Sequence, residues 1–377
     1  MMKFLHISDL HLGKRVNEFS MIEDQKYILK EILTIVNEQK PDGILIAGDV
    51  YDRSVPTEDA MKLWDEFLVS LAEKHVQVFA ISGNHDSAIR FSDHGVLVDA
   101  TGIHLSPVYE GNVRCFQFED EDGIVNIYLL PFIKPVTVRA VFPTEEITDY
   151  TDACRVAIEH MNVNKNERNI LVAHQFVTGA ERCESEEIVV GGLDNVSSEV
   201  FDDFDYVALG HIHGKQSIKK DSIRYCGTPL KYSFSEKDHV KSVTVVELFE
   251  KGNLTIDEIP LKPKHDLREI KGTYAELTAK ENYENTDTDD YIHAVLTDEN
   301  DVVDAIGKLR VIYPNLMKLS YDNKRTKQQQ LLSDVKNVED KSPIELFEAF
   351  YQKQNNDEMS MEQKAFIIKC MEAIWKE

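Results

Sequence analysis

Positive charge is scarce in this sequence. Its 42 Lys and Arg stand against 67 Asp and Glu, a formal net charge of −25. A protein that holds nucleic acid through its whole surface is basic, so that mode is excluded. Any contact with nucleic acid has to be local: a patch, a bound metal or a partner. Cysteine is also sparse. Cys115, Cys154, Cys183, Cys226 and Cys370 lie far apart, with no CxxC pair. That excludes a disulfide framework and a zinc knuckle and fits a reduced, intracellular protein. No apolar run reaches the roughly 18 residues of a transmembrane helix. At the start of the chain, His6, Ser8, Asp9 and His11 interrupt what a signal peptide would need as an apolar stretch, so the expected location is the cytoplasm. No GxxxxGK[ST] loop and no internal repeat occurs.

What is present is an ordinary globular composition, 42% hydrophobic and 29% charged over 377 residues, long enough for more than one core. Strand and helix signals alternate from the start. A short apolar strand at 4–8 precedes a helix at 22–38, whose stripe is Ile28, Leu29, Ile32, Leu33 and Val36. Gly-Ile-Leu-Ile-Ala at 43–47 is a buried strand, Thr57 caps a helix running to 74, and 76–81 is the next strand. This rhythm predicts an α/β sheet with covering helices. Shorter strands follow at 103–132, a helix at 151–164, strands at 169–173 and 206–209, then antiparallel strands at 223–226, 243–248 and 254–259. The expectation is a four-layer αββα sandwich.

Pro260 and Pro263 mark a boundary. The domains expected are a main domain at 1–262, a small α/β capping domain at 263–322, a polar linker at 323–341, and a helix-loop-helix at 342–377. In the last, Ser342 and Glu345 form a capping box with Pro343 at the first helical position.

The sharp polar clusters each follow a predicted strand: Ser8-Asp9-Leu10-His11, Gly48-Asp49, Gly83-Asn84-His85-Asp86, His174 and Gly210-His211-Ile212-His213. Strand ends of one sheet edge are where ligand sites gather. If the strands continue, Asp9 and His11 point the same way, as do His211 and His213. Carboxylates, an amide and several imidazoles form a mixed oxygen and nitrogen set that suits manganese, iron or zinc. Asp49 can use both oxygens to bridge two ions. A pair about 3.5–4 Å apart would activate a water and clamp a phosphoryl oxygen. Such a site would be locally positive and attract phosphate. A lone DxH or GD is commonplace, but GNHD and GHxH are not, and the full ordered set argues for a metal centre.

These motifs resemble the complete signature of the calcineurin-like metallophosphoesterases. The finer wording, His6-Ile-Ser-Asp-Leu-His-Leu-Gly13, Ala47-Gly-Asp-Val-Tyr-Asp52, Ser82-Gly-Asn-His-Asp-Ser87 and Tyr225-Cys-Gly-Thr-Pro-Leu-Lys-Tyr-Ser-Phe-Ser235, with the tail at 347–375, is similar to the DNA-repair nucleases of that family. The resemblance covers essentially the whole chain and is weakest at 265–321. It implies the αββα metallophosphoesterase fold and two divalent ions, preferably manganese. One ion would be held at Asp9, His11, Asp49 and His213, the other at Asp49, Asn84, His174 and His211. His85 would contact the scissile phosphate and assist the leaving group, with Asp86 orienting it or anchoring its loop. The implied activity is DNA phosphodiester hydrolysis, as an ATP-dependent 3′–5′ exonuclease on duplexes and an endonuclease on single strands and hairpins. ATP would act through a partner ATPase, whose coiled-coil base receives the C-terminal helices, in an assembly of two nuclease and two ATPase subunits. A homodimer through the helix carrying Trp64, Phe67 and Leu68 is also implied, and no membrane.

Two further readings belong to the residues themselves. The segment 215–241 carries Lys215, Lys219, Lys220, Arg224, Lys231, Lys237 and Lys241 against Asp221, Glu236 and Asp238. It is the candidate phosphate-contacting face, with Arg53 and Arg90 as further candidates. The rival function is a stand-alone metallophosphoesterase acting on small phosphodiesters, which would need neither a cap nor an apolar tail. A non-catalytic scaffold should have lost ligands or His85, and all are present.

Overall fold

A computed structural model describes residues 1–93, 95–186, 194–324, 326, 344, 347, 348, 351 and 359–374. The chain divides into two compact units. The first is Met1–Ile270 with Thr278–Ala294 and Asp304–Leu319; the second is Lys271–Leu277, Val295–Val303 and Ser320–Glu377.

Two six-stranded sheets form the first unit. One runs in the order Leu254–Pro260, Ser242–Leu248, Met2–Ile7, Gly43–Ala47, Gln77–Ile81, Ile103–Leu105. Met2–Ile7 lies parallel to Gly43–Ala47 and antiparallel to Ser242–Leu248. The other runs Gln216–Ile218, Lys220–Tyr225, Tyr206–Gly210, Arg168–His174, Gly123–Leu130, Arg114–Asp120. Both faces of the central strands are covered, which is why they read as continuous apolar runs.

Alternation within each strand sorts the side chains into layers. Phe4, Leu45, Phe79, Ile127, Val172 and Ala208 meet in a core between the sheets. Their neighbours Leu5, Ile44, Ile46 and Val78 face the helices Ile22–Gln39 and Glu58–Glu73. On the far side, Leu171, Val207 and Leu209 pack with the helix Tyr150–Glu159. The four αββα layers follow from these three cores. Thr57 caps Glu58–Glu73 by accepting from the Ala60 amide. Trp64, Phe67 and Leu68 of that helix are buried in the helix-facing core. At the site edge the sheets press together. A Cβ on Gly210 would fall 1.8 Å from the Ala47 carbonyl oxygen, so only glycine permits this approach.

A small three-stranded sheet follows, with Leu267–Gly272, Tyr291–Leu296 and Leu316–Tyr321 in that order. Asp24, buried on the first long helix, accepts from Tyr291 Oη at 2.6 Å and lies 2.8 Å from His265 Nδ1. In the second unit, Asp298 accepts from the Tyr274 amide, Lys271 pairs with Asp322, and the helix Met361–Ile374 is tied through Lys364 to Glu348. Most of the expected linker at 323–341, and the capping box and most of the first tail helix, lie outside the described residues. Among those described, no helix is long and apolar enough to cross a membrane.

Phe79 joins the sheets, with its ring against Phe4 of its own sheet and against Phe116 and Phe118 of the other. Phe79→Ala is expected to lower stability by about 3–5 kcal/mol, read as a shift of the urea unfolding midpoint at unchanged slope.

Candidate metal centre

Five strand ends converge. Met2–Ile7 leads to Asp9 and His11, Gly43–Ala47 to Asp49, Gln77–Ile81 to Asn84 and His85, Arg168–His174 ends in His174, and Tyr206–Gly210 leads to His211 and His213. The strands do not continue through these residues. Asp9, His11, Asp49 and His211 have φ of 53°, 45°, 49° and 103°, the left-handed region that side-chain-bearing residues rarely adopt. Such strain persists where surroundings over-determine it. Here the Asp9, His11 and Leu12 amides donate to the carbonyls of Gly48, Asp49 and Val50 at 2.9–3.0 Å, clamping one loop on the other.

This corrects the expectation drawn from strand alternation. Asp9 and His11 are aimed by left-handed turns, not by a shared strand face. His211 and His213 point to opposite halves of the centre: His211 Nδ1 lies 2.9 Å from Asn84 Oδ1, whereas His213 Nε2 lies 3.2 Å from His11 Nε2.

The ligand atoms confront one another. Asp9, His11 and His213 form one cluster, and Asp9, Asp49 and His174 another. His174 Nδ1 is 2.8 Å from the Ala47 carbonyl, which can only accept, so its Nε2 carries the lone pair in the neutral ring. That lone pair faces Asn84 Oδ1 at 2.9 Å and Asp49 Oδ2 at 3.3 Å. Asp49 Oδ2 is also 3.9 Å from the Nε2 atoms of His11 and His85. Buried acceptors aimed at acceptors call for a cation or a proton between them. The residues therefore fit divalent metal ions, with the rear nitrogen of His174 fixed by a carbonyl as metal-ligating histidines usually are. A Cβ on Gly83 would lie 2.1 Å from Asp49 Oδ1, so glycine lets the Asn84 turn approach this carboxylate.

The electrostatics agree. Burial pushes the Asp9 carboxyl up to about 7, with Asp49 adding to the rise. Burial works against ionised Asp49 too, but His174, His11 and His85 outweigh it and hold that carboxyl far below the usual range. Burial also opposes charge on His174, yet Asp49 and Asp9 raise it to about 9. Burial, reinforced by His174, drives His211 down to about 3.

His85 stands at the mouth, its side chain 20% exposed while His11 and His174 are buried. Its Nδ1 lies 3.0 Å from the Asp52 carbonyl, which turns Nε2 toward the centre. Asp86 does not orient this ring. Its carboxylate accepts from the amides of Gly83, Val50 and Tyr51 at 2.9–3.1 Å, tying two loops together. It is a positioning residue, and its expected catalytic role is corrected to loop anchoring.

Among the basic candidates, Arg90 is exposed and Arg53 has 78% of its side chain in solvent. The segment 215–241 is not a free basic face. Lys215 and Arg224 pair with Glu258, Lys219 with Glu199, Lys220 with Asp202, Lys231 with Asp266, Lys237 with Glu269 and Lys241 with Glu236. Lys231 is largely buried besides. Sequence reasoning missed Glu258, Glu199, Asp202, Asp266 and Glu269 because they lie outside the segment, whereas Glu236 lies within it. It also missed Ser185 and Glu186, which contact His213, and the support that Glu236 gives His213 through Ser185. Glu236 directly follows the Tyr225–Ser235 motif, the only signal available for it.

Residues 2–215 match the calcineurin-like phosphoesterase family. Residues 263–355 match the type 5 capsule protein repressor C-terminal domain. The SbcD subunit of nuclease SbcCD from Staphylococcus epidermidis is 33% identical over 323 residues, 85% of this chain and 85% of that protein. Among solved structures, a dimetal phosphatase from Danio rerio aligns at 12% identity and TM-score 0.43, over 69% of this chain and 96% of its own. GAP50, the anchor in the inner membrane complex of Plasmodium, aligns at 13% identity and TM-score 0.42, over 85% of this chain and 96% of its own.

Protons and metal compete for the same lone pairs, so acid should release bound metal. With Asp9 titrating near 7 and His174 near 9, affinity for a divalent ion is expected to fall steadily from pH 8 to pH 6. Competition with a metallochromic indicator across that range measures it; a pH-independent affinity would contradict the assignment.

Proposed function

This chain belongs to the calcineurin-like phosphoesterases, in the branch of the SbcD nucleases, and on that premise we propose that it is the manganese-dependent DNA nuclease subunit of an SbcC–SbcD-type complex. It is a metal-dependent phosphodiesterase. The observation that carries the reading is the convergence of largely buried oxygen and nitrogen ligand atoms from five strand ends, with His85 at the mouth.

Asp9, His11, Asp49 and His213 would hold one ion, and Asp49, Asn84, His174 and His211 the other, with Asp49 shared. When bound, a pair of divalent ions supplies an activated water and a charge clamp on the phosphoryl oxygens. Asp49 also accepts from the His85 amide at 2.8 Å, so the residue that defines the centre fixes the backbone of the one facing substrate. With Nδ1–H committed to the Asp52 carbonyl, His85 turns Nε2 toward the centre, from where an Nε2–H would donate to the departing oxygen. Lys14 holds the Asp52 carboxylate at 2.8 Å and keeps that carbonyl in place. Arg53, beside Asp52, and Arg90 are exposed and are proposed to meet the DNA backbone.

The substrates proposed are duplex ends, cut 3′–5′ with ATP, and single strands and hairpins, cut internally. No GxxxxGK[ST] loop occurs in this chain, and ATP is taken to act through an SbcC partner, in an assembly with two copies of each subunit. Met361, Phe366 and Ile368 are exposed on the helix Met361–Ile374, which supports docking of that helix on SbcC. A separate family match beginning at residue 263 supports a boundary there, with 1–262 as the nuclease domain. Beyond it the proposed division is a DNA-recognising cap at 263–322, a linker at 323–341 and an SbcC-binding tail at 342–377. The nuclease subunit is taken to be a homodimer, acting in the cytoplasm on nucleoid DNA.

The test is cleavage of a linear duplex and a DNA hairpin with manganese, with and without the ATPase. His85→Ala should slow cleavage about 10²–10⁴-fold while metal uptake persists. ATP dependence should appear on duplex ends only with the partner present. No DNA cleavage, with brisk hydrolysis of a small phosphodiester, would instead favour the stand-alone esterase.

A further inference from the structure

The two halves of the centre are supported by different means. On one side, His174 Nδ1 rests on the Ala47 carbonyl, part of the strand backbone. On the other, His213 is held by side chains from a distant loop. Glu186 accepts from the His213 amide at 2.6 Å, and Ser185 Oγ lies 2.7 Å from His213 Nδ1. The same hydroxyl lies 2.7 Å from Glu236 Oε1.

Donor accounting fixes the direction of this chain. Glu236 is fully buried, and donors surround it: the Lys241 ammonium, the Tyr232 amide at 3.2 Å and the Thr228 hydroxyl at 3.4 Å. A carboxylate in that setting accepts. The single hydroxyl proton of Ser185 therefore goes to Glu236, and the Ser185 oxygen accepts Nδ1–H from His213. His213 is left with a bare Nε2 aimed at His11 Nε2, 3.2 Å away. Lys241 closes the ring by donating to the His213 carbonyl at 2.9 Å and to Thr228 Oγ1 at 2.7 Å.

We propose that Ser185 is a positioning residue that, through Glu236 and Lys241, sets the tautomer and aim of His213 and so controls the His213-side cation site separately from the His174-side site. This rests on the two-ion reading above and goes beyond it: the histidine on one side is braced by a side-chain relay, that on the other by strand backbone. Outer partners of ligating histidines typically matter 10–100-fold in metal affinity, which sets the size of the effect.

Titration calorimetry of Mn²⁺ into the chelator-stripped full chain tests this, with electron paramagnetic resonance of the loaded protein. Wild type should take up two ions and show a spin-coupled pair. Ser185→Ala should weaken one ion roughly 10–100-fold and leave the other unchanged, replacing the coupled signal with that of isolated Mn²⁺ at limiting metal. Ser185→Thr, which keeps the hydroxyl, should restore the pair. Thermal melts of the stripped proteins show whether each variant is folded. If Ser185→Ala binds both ions as wild type does, or weakens both alike, the proposal is overturned while the metal centre stands. If wild type takes up no ion pair, the two-ion reading fails and the proposal with it.

Discussion

Acceptor atoms buried against acceptor atoms repel unless a cation or proton lies between them. In this chain that repulsion is concentrated where His174 Nε2 meets Asn84 Oδ1 and Asp49 Oδ2, and where His11 and His213 oppose their Nε2 atoms. The fold withstands it because the ligands hang from strand ends in two sheets whose cores are packed on three levels. Loops that long-range ladders hold in left-handed conformations bring the donors together. Neither a loose loop nor a single helix would hold so many like dipoles at these distances. The rigidity of the sandwich and the chemistry of its edge are one property.

Charge is arranged on the same principle of local concentration. The net −25 of the chain disfavours polyanions at long range. The cations of residues 215–241 do not reverse this outright, because each is paired with a carboxylate, Lys215 and Arg224 sharing Glu258 and Lys241 using Glu236 of the same segment. Several of these pairs are partly buried, where breaking one leaves an uncompensated charge. They read as struts between elements, Lys231 and Lys237 reaching Asp266 and Glu269 of the small sheet's first strand region, rather than as a surface for phosphate. Of the other basic candidates, Arg53, which pairs with Asp52, and Arg90, on the short helix Ala88–Ser92, are both exposed.

His85 shows how closely structural and chemical roles are interleaved. Its amide is bound to Asp49 and its ring to the Asp52 carbonyl; its loop is pinned by Asp86, and the Asp52 loop by Lys14. Each of these contacts restricts the one imidazole that faces outward. A group with this many restraints and an open face is pre-organised for a ligand.

Much of this was legible in the sequence. Continuous apolar runs such as Gly43–Ala47 identify buried strands, and polar residues placed just after them identify the edge where ligands meet, because strand period and chain connectivity are local properties. The candidate ligands and the αββα layering follow from that local pattern, sharpened by resemblance to a known family. The directions of the ligands do not. Left-handed φ at Asp9, His11, Asp49 and His211 arises from hydrogen bonds between loops far apart in the chain. The anchoring role of Asp86, the pairing of the basic segment, and the Ser185–Glu236–Lys241 chain behind His213 likewise depend on partners that no spacing rule connects. The sequence by itself determined which chemical groups stand at the strand ends. Only the tertiary structure decided which way they face and which charges are left exposed, because both depend on through-space contacts between residues that the chain keeps apart.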